Sequence, residues 1–318
     1  MKSKVSVNIS KRDFMKKYGA LCVLAMLLLI NIAVTPNFLK ASTFINLGTQ
    51  SFSVILVSIG MALVIGVGGI GISAGSTMAV TAVVCCLLID RGNSIGLAVA
   101  AAFMTAAVIG LFNGFLITKF KIQPIIVTLI FYIAGRGIAQ VLNNGQTISF
   151  YDNGFTDLGL FRIADIPIQV YIALAAAVLF LFITHKTSFG FQIQAAGDNV
   201  RTARLSGIHT QKITIAAYVI MALLCCLGAI VDSSRIGSAD PNSLGDSIEI
   251  DAIAAVAIGG TSLNGGKIYM IGAVLGAVLM QLITVTINMN NIEHAYSLVV
   301  KAAVIIAAVY LQRDKKNR

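Results

Sequence analysis

Residues 95–118 read IGLAVAAAFMTAAVIGLFNGFLIT, from Ile95 to Thr118 without one charged side chain. As a helix this run rises about 36 Å at 1.5 Å per residue, enough to cross a bilayer core of about 30 Å. The pattern repeats outward from it. Mostly apolar runs at about 18–36, 44–66, 72–90, 123–142, 166–184, 213–231, 250–260, 268–287 and 295–311 complete a set of ten expected spans, with 250–260 short or broken. The chain is 57% hydrophobic and 11% charged. It therefore reads as all-α, a polytopic transmembrane helical bundle in a single domain, 1–318. An outer-membrane barrel would alternate apolar and polar residues, and runs such as Ala20–Val34 and Ala302–Leu311 do not alternate.

The N-terminus carries Lys2, Lys4, Lys11, Arg12, Lys16 and Lys17 ahead of an apolar stretch, as a secretory signal does. The stretch runs into Thr35-Pro36-Asn37-Phe38-Leu39-Lys40 without a small-x-small cleavage pattern, so it reads as a retained first span. Cys22, Cys85, Cys86, Cys225 and Cys226 all lie in apolar runs. Without metal-site spacing, they read as small buried hydrophobes.

A net charge of +10 would suggest nucleic acid in a soluble protein, but here topology explains it. With ten spans and the N-terminus inside, 17 of the 23 Lys and Arg residues fall on the cytoplasmic side, in the tail 1–17, the loop 185–212, the tail 312–318 and two short turns. That bias sets the orientation. The longest outer segments gather Asp152, Asp157, Asp165, Asp232, Asp240, Asp246, Glu249 and Asp251, read either as solvated loops or as a polar outer mouth.

Two apolar regions are interrupted alike. Gly68-Gly69-Ile70-Gly71-Ile72-Ser73-Ala74-Gly75 and Gly259-Gly260-Thr261-Ser262-Leu263-Asn264-Gly265-Gly266 share G-G-x-x-(I/L)-x-x-G. The echo suggests an internal duplication. Broken helices at membrane depth build transporter sites, whereas small residues also serve plain helix packing, as at Gly110/Gly114 and Gly272/Gly276. Both readings stand at this stage. Gly66, Gly68 and Gly71 match a dinucleotide fingerprint, with Asp90 beyond, but the required soluble βαβ context is absent. Gly260 to Lys267 imitates a phosphate loop, yet Thr261 and Ile268 break the pattern. No nucleotide site or other cofactor is expected in this chain.

Between His185 and Lys212 lies the polar run Gly197-Asp198-Asn199-Val200-Arg201-Thr202-Ala203-Arg204-Leu205-Ser206-Gly207-Ile208. From the residues alone it is either a solvated basic loop or a surface for another protein. A short helix starting near Asp198, with Asp198 as N-cap, would place Arg201, Arg204 and Leu205 on neighbouring turns.

At this point the chain resembles a family. Ala196-Gly197-Asp198-Asn199 with Ala203 to Ile208 is similar to the cytoplasmic coupling loop of the ribose-type sugar permeases of bacterial ABC importers, in the branched-chain amino-acid/ribose permease superfamily. Pro124, Thr128-Leu129, Arg136-Gly137, Gly145-Gln146, the block Asp251 to Gly266 and Gly68 to Gly75 extend the likeness over nearly the whole chain. One departure stands out: the family usually has an acid where this chain has Gly71, which opens the solute and the symmetry of the assembly to question. The resemblance implies a non-catalytic inner-membrane subunit, paired with a second copy or a related permease, above two ATPase subunits and below a periplasmic or lipid-anchored solute-binding protein. It also implies that Gly197, Asp198, Arg201, Arg204, Leu205 and Gly207 couple to the ATPase. A neutral polyol needs hydroxyl, amide and aromatic partners, so Ser73, Ser76, Thr77, Asn113, Thr128, Tyr132, Thr261, Ser262 and Asn264 are the candidate pathway residues.

Arg136 is costly inside a span and should face protein or water, or snorkel to the interface. Lys301 is similar, with Glu293 as its expected partner. His185, His209 and His294 carry no assigned role. The rivals are ABC permeases for nucleosides or branched-chain amino acids, an ion-coupled transporter, which would normally need carboxylate relays at span depth, and an intramembrane enzyme, for which no catalytic pattern stands out.

Overall fold

A computed structural model describes residues 11–36, 38–150, 153–290, 296, 298–303 and 306, with side chains from 21 onward except those of Cys22 and Asn153. The tail segments 1–10 and 312–318, with Glu293 and His294, lie outside the described residues. In chain order the elements are α1 (Lys11–Val34), α2 (Ala41–Gly66), α3 (Ala74–Asp90), α4 (Ile95–Lys119), α5 (Pro124–Leu142), β1 (Ile148–Ser149), α6 (Asn153–Leu160), β2 (Arg162–Ile163), β3 (Ile166–Pro167), α7 (Ile168–Lys186), α8 (Ser188–Asp198), α9 (Val200–Leu205), α10 (Thr210–Ile236), β4 (Ser238–Ala239), α11 (Ile248–Ile258) and α12 (Met270–Met289). The chain is helical again at 296, 298–303 and 306.

Six of these helices, α2, α4, α5, α7, α10 and α12, are each long and apolar enough to cross a membrane. The protein is an all-α, multi-span membrane bundle. Its surface inverts the soluble pattern: Met104, Val108 and Leu111 on α4, Ile130, Ile133 and Val141 on α5, and Leu174, Val178 and Phe182 on α7 are all exposed. Apolar surface this extensive fits acyl chains.

The core forms around α2, which is almost wholly buried, and α10 crosses α2, α3 and α4. Small residues bring these helices together. A Cβ on Gly110 would lie 2.6 Å from Val219 Cα, and one on Gly114 would lie 2.7 Å from Ile215 Cα. Gly272 and Gly276 admit the backbone of Gly259 and Ala255 in the same way. At these four positions the small-residue packing reading holds. Cys85, Cys86, Cys225 and Cys226 are free thiols fully buried in the same core.

The two ends of the bundle differ. At one end β1 pairs antiparallel with β4, Ile148 opposite Ala239. There β2 and β3 form a hairpin whose turn residues Ala164 and Asp165 both have positive φ, as a type I′ turn requires. This end is called the hairpin end. The opposite end holds α8 and α9, so the segment 185–212 forms two helices where one was expected.

Candidate functional site

Both glycine blocks begin with the same backbone device. Helix α2 ends with Gly68 N–H donating to Ile65 O and Gly69 N–H to Val64 O, and α11 ends with Gly260 N–H donating to Ala257 O and Thr261 N–H to Val256 O. Each is a Schellman cap with a left-handed glycine, Gly68 at φ +82° and Gly260 at φ +88°. The sequence echo aligns Gly68 with Gly259, so the structural equivalence is shifted by one residue.

The blocks then touch. Gly266 N–H donates to Gly66 O at 3.1 Å, and a Cβ on Gly265 would come within 3.0 Å of Gly68 N and Gly197 O. Gly197, near the end of α8, is wedged against both: its Cβ would lie 1.9 Å from Gly66 O and 2.6 Å from Gly266 N. Three stretches of bare backbone meet where no side chain fits. Asp198 follows immediately and lies against Gly266.

From this joint α9 projects. Its N-cap is Asn199, whose Oδ1 accepts from Arg201 N and Thr202 N at 3.0 Å each. The expectation of Asp198 as cap is therefore corrected: Asp198 is the last residue of α8, and the extended backbone of Asn199 starts the new helix. Gly207, at φ +82°, turns the chain out of α9 toward α10. Leu205 is 84% exposed, and Arg201 is exposed beside it. Arg204 behaves differently, because its Nε donates to Thr210 Oγ1 at 2.9 Å.

Among the candidate pathway residues, five gather around the first break. Ser73 Oγ accepts from Asn113 Nδ2 at 3.2 Å, Ser76 Oγ donates to Phe131 O, Thr77 Oγ1 donates to Ser73 O, and Thr128 Oγ1 donates to Ile70 O. All five are buried, and Thr128 Oγ1 satisfies the Ile70 carbonyl within the break. Asn113 Oδ1 has no partner. Thr261, Ser262 and Asn264 form a second group in the other break, where Thr261 Oγ1 accepts from Tyr269 N and Ser262 Oγ accepts from Asn264 N. Tyr132 is half-buried on α5.

The missing acid has a steric counterpart. A Cβ on Gly71 would lie 2.4 Å from Met221 Cε, with Met61 Sδ at 3.7 Å. Met221 therefore occupies the space that a larger side chain at position 71 would take.

Two cavities flank this region. One, of about 360 Å³ at the α9 end, lies between the first break, the α4–α5 turn, α9 and the start of α10. The other, of about 210 Å³ toward the hairpin end, is lined by Gln50, Ser53, Asp232, Asp246 and Asp251 among others. Sequence reasoning placed Asp232 to Asp251 in an outer loop. The structure keeps Asp240 and Asp246 in the loop between β4 and α11 but corrects the other three: Asp232 sits within α10 and accepts from Ser53 Oγ, Glu249 is buried at the start of α11, and Asp251 pairs with Lys301 Nζ at 2.7 Å. Lys301 thus has Asp251 as its partner, where Glu293 was expected. Arg136 faces protein, its Nη1 donating to Pro241 O and Leu244 O at 3.0 and 2.8 Å, which pins the 237–247 loop over the bundle. None of these long-range pairs has a local sequence signal.

The branched-chain amino acid transport system / permease component family model matches residues 43–309, which include both breaks and α9. The chain belongs to this permease family. The permease is 33% identical to the galactofuranose transporter permease protein of Escherichia coli (strain K12), over 93% of this chain and 89% of that one. It is 34% identical to the ribose import permease protein of the same strain, over 92% of this chain and 93% of that one. It is 35% identical to the ribose import permease protein of Bacillus subtilis (strain 168), over 95% and 94%. No solved structure matches the permease.

Proposed function

We propose that this permease forms the translocation pathway of an ATP-driven importer for a monosaccharide or a related small polar solute, working by alternating access. The observation that carries the reading is the placement of α9, an exposed six-residue helix standing on the joint where both glycine breaks meet. A helix so placed transmits movement from a partner directly into the two irregular segments. Arg201 and Leu205 offer it a cation and an apolar knob, the pairing that suits a groove on an ATPase subunit. The sugar-permease names of the relatives support the solute class.

In this reading the α9 end is cytoplasmic, as the Lys and Arg distribution favours, and both termini lie on that side. Ten spans follow when α1, α3, α11 and the helical residues 296, 298–303 and 306 are counted with the six long helices. The shared Schellman caps support an internal duplication. The pathway is completed by a second copy or a related permease. Two ATPase subunits drive it and a solute-binding protein, periplasmic or lipid-anchored, supplies it. Hydrolysis belongs to the ATPase, and this chain needs no cofactor.

The test is uptake by proteoliposomes holding the permease with its ATPase and binding protein, offered labelled D-ribose, D-galactose and D-fructose beside leucine and uridine. ATP-dependent accumulation of a monosaccharide is expected. Accumulation by the permease alone under an ion gradient would overturn the reading. The Arg201→Asp/Leu205→Asp variant should insert normally yet no longer copurify with the ATPase.

A further inference from the structure

The cavity of about 360 Å³ at the α9 end is lined by two cations, Lys121 of the α4–α5 turn and Arg204 of α9, and by no Asp or Glu. We infer that this cavity is a binding site for a phosphate group, and that the phosphate belongs to the headgroup of an anionic phospholipid. Such a site requires only that the chain spans a membrane, and it stands apart from the importer reading.

Both charges are unpaired. Arg204 Nε donates to Thr210 Oγ1 at 2.9 Å, and among the described residues its Nη1 and Nη2 have no hydrogen-bond or ionic partner. Lys121 has neither kind of partner among the described residues. A guanidinium edge left free in this way suits phosphate oxygens, which it meets with parallel N–H donors. Two helix starts add the same sign. Pro124, the first residue of α5, and Thr210 and Gln211, the first two of α10, also border the cavity. Neither helix has a side-chain cap, so each start brings a partial positive charge that no capping side chain offsets.

Depth and surroundings favour a lipid over free phosphate. Helix α4 carries no charge from Ile95 to Thr118 and ends at Lys119, so the turn that follows lies at headgroup level. Basic pockets between spans at that level hold anionic headgroups. Ile117 and Ile122 line the cavity together with the two cations, and Phe120 and Ile122 are exposed on either side of Lys121. A phospholipid presents phosphate and hydrocarbon side by side, as this wall does. Free phosphate would leave the apolar part without a partner.

The test is thermal unfolding of the delipidated full-length chain in neutral detergent, titrated with phosphatidylglycerol, phosphatidylcholine or inorganic phosphate. Phosphatidylglycerol is expected to raise the melting temperature saturably, and more weakly as salt screens the charges. Lys121→Asn/Arg204→Gln is expected to weaken half-saturation about tenfold or more. Asn accepts the φ of +55° that Lys121 adopts, so the turn is kept. Lys186→Gln removes an exposed cation that does not line the cavity, and it should titrate as the wild type does. If the double variant unfolds early without lipid, Lys121→Asn alone is titrated, and a weakened half-saturation is again expected. Wild-type titration by the cavity variant, or equal weakening by Lys186→Gln, overturns the site. An equal response to phosphatidylcholine overturns the anionic requirement, and saturation by inorganic phosphate at the same concentrations overturns the lipid as its source.

Discussion

The amide of Gly266 donates to the carbonyl of Gly66 at 3.1 Å, so the far end of one glycine break is bonded to the last turn of the helix before the other. Gly197 covers this bond so closely that its own Cα hydrogen faces Gly66 O. One methyl group is enough to disturb the contact.

Gly197→Ala should therefore separate insertion from function. Overpacking of this kind costs about 1–3 kcal/mol, and the methyl would have to displace backbone. The expected outcome is a protein that reaches the membrane with a lowered melting temperature and little uptake. Gly137→Ala is the control, because a Cβ there meets nothing within 4 Å, and it should retain full uptake.

At position 71 a carboxylate would enter space already held by Met221. Gly71→Asp should cost about 2.5–3.5 kcal/mol, the insertion penalty of an unpaired charge at span depth. Adding Met221→Ala opens room for the side chain and for water, and should recover part of the loss. Thermal unfolding in detergent of the two variants checks this, and equal stabilities would argue against Met221 as the occupant.

Lys301 and Asp251 are both nearly buried and bonded at 2.7 Å. Removing one partner leaves the other desolvated and alone, so Lys301→Met should destabilise by about 3–5 kcal/mol. The double variant Lys301→Met/Asp251→Leu should lose less than Lys301→Met does. A double-mutant cycle on unfolding midpoints measures the coupling, and additivity would remove the pair from the account.

The 237–247 loop carries a pH signature at its half-buried Asp240. Partial burial pushes its carboxyl up, but hydrogen bonds from Ser243 Oγ and from Asn242 outweigh this and hold it below the ordinary carboxylate range. A depressed folded-state value means the stabilisation is complete above the unfolded value, about 3.9, and fades as pH falls through the lower folded one. The stability gap between the wild type and Asp240→Asn should be constant near neutrality and close only below about pH 4. A gap that widens on acidification would contradict the assignment.

The six long spans were legible because lipid imposes a length and forbids charge, so runs such as 95–118 announce themselves. The breaks were only half legible, because glycines inside apolar stretches also serve close helix packing and the sequence left both readings open. The site was less so. Asp232 looked like loop because α10 extends to Ile236, past the last long apolar run, and a helix end within the protein obeys no membrane rule. Asn199 replaced Asp198 as the cap because both are good caps, and the choice was made by Gly197 docking on the joint. The Lys301–Asp251 pair joins positions far apart in the chain, where a single sequence holds no record of proximity.

The packing of α10 against α2, α3 and α4, and of α12 against α2, has a mechanical consequence. The earlier and later halves of the chain are interleaved, so neither can swing as a lobe. Displacement inside one subunit must concentrate in the short irregular segments 67–73 and 259–269, and the bulk of the bundle acts as the stator around them.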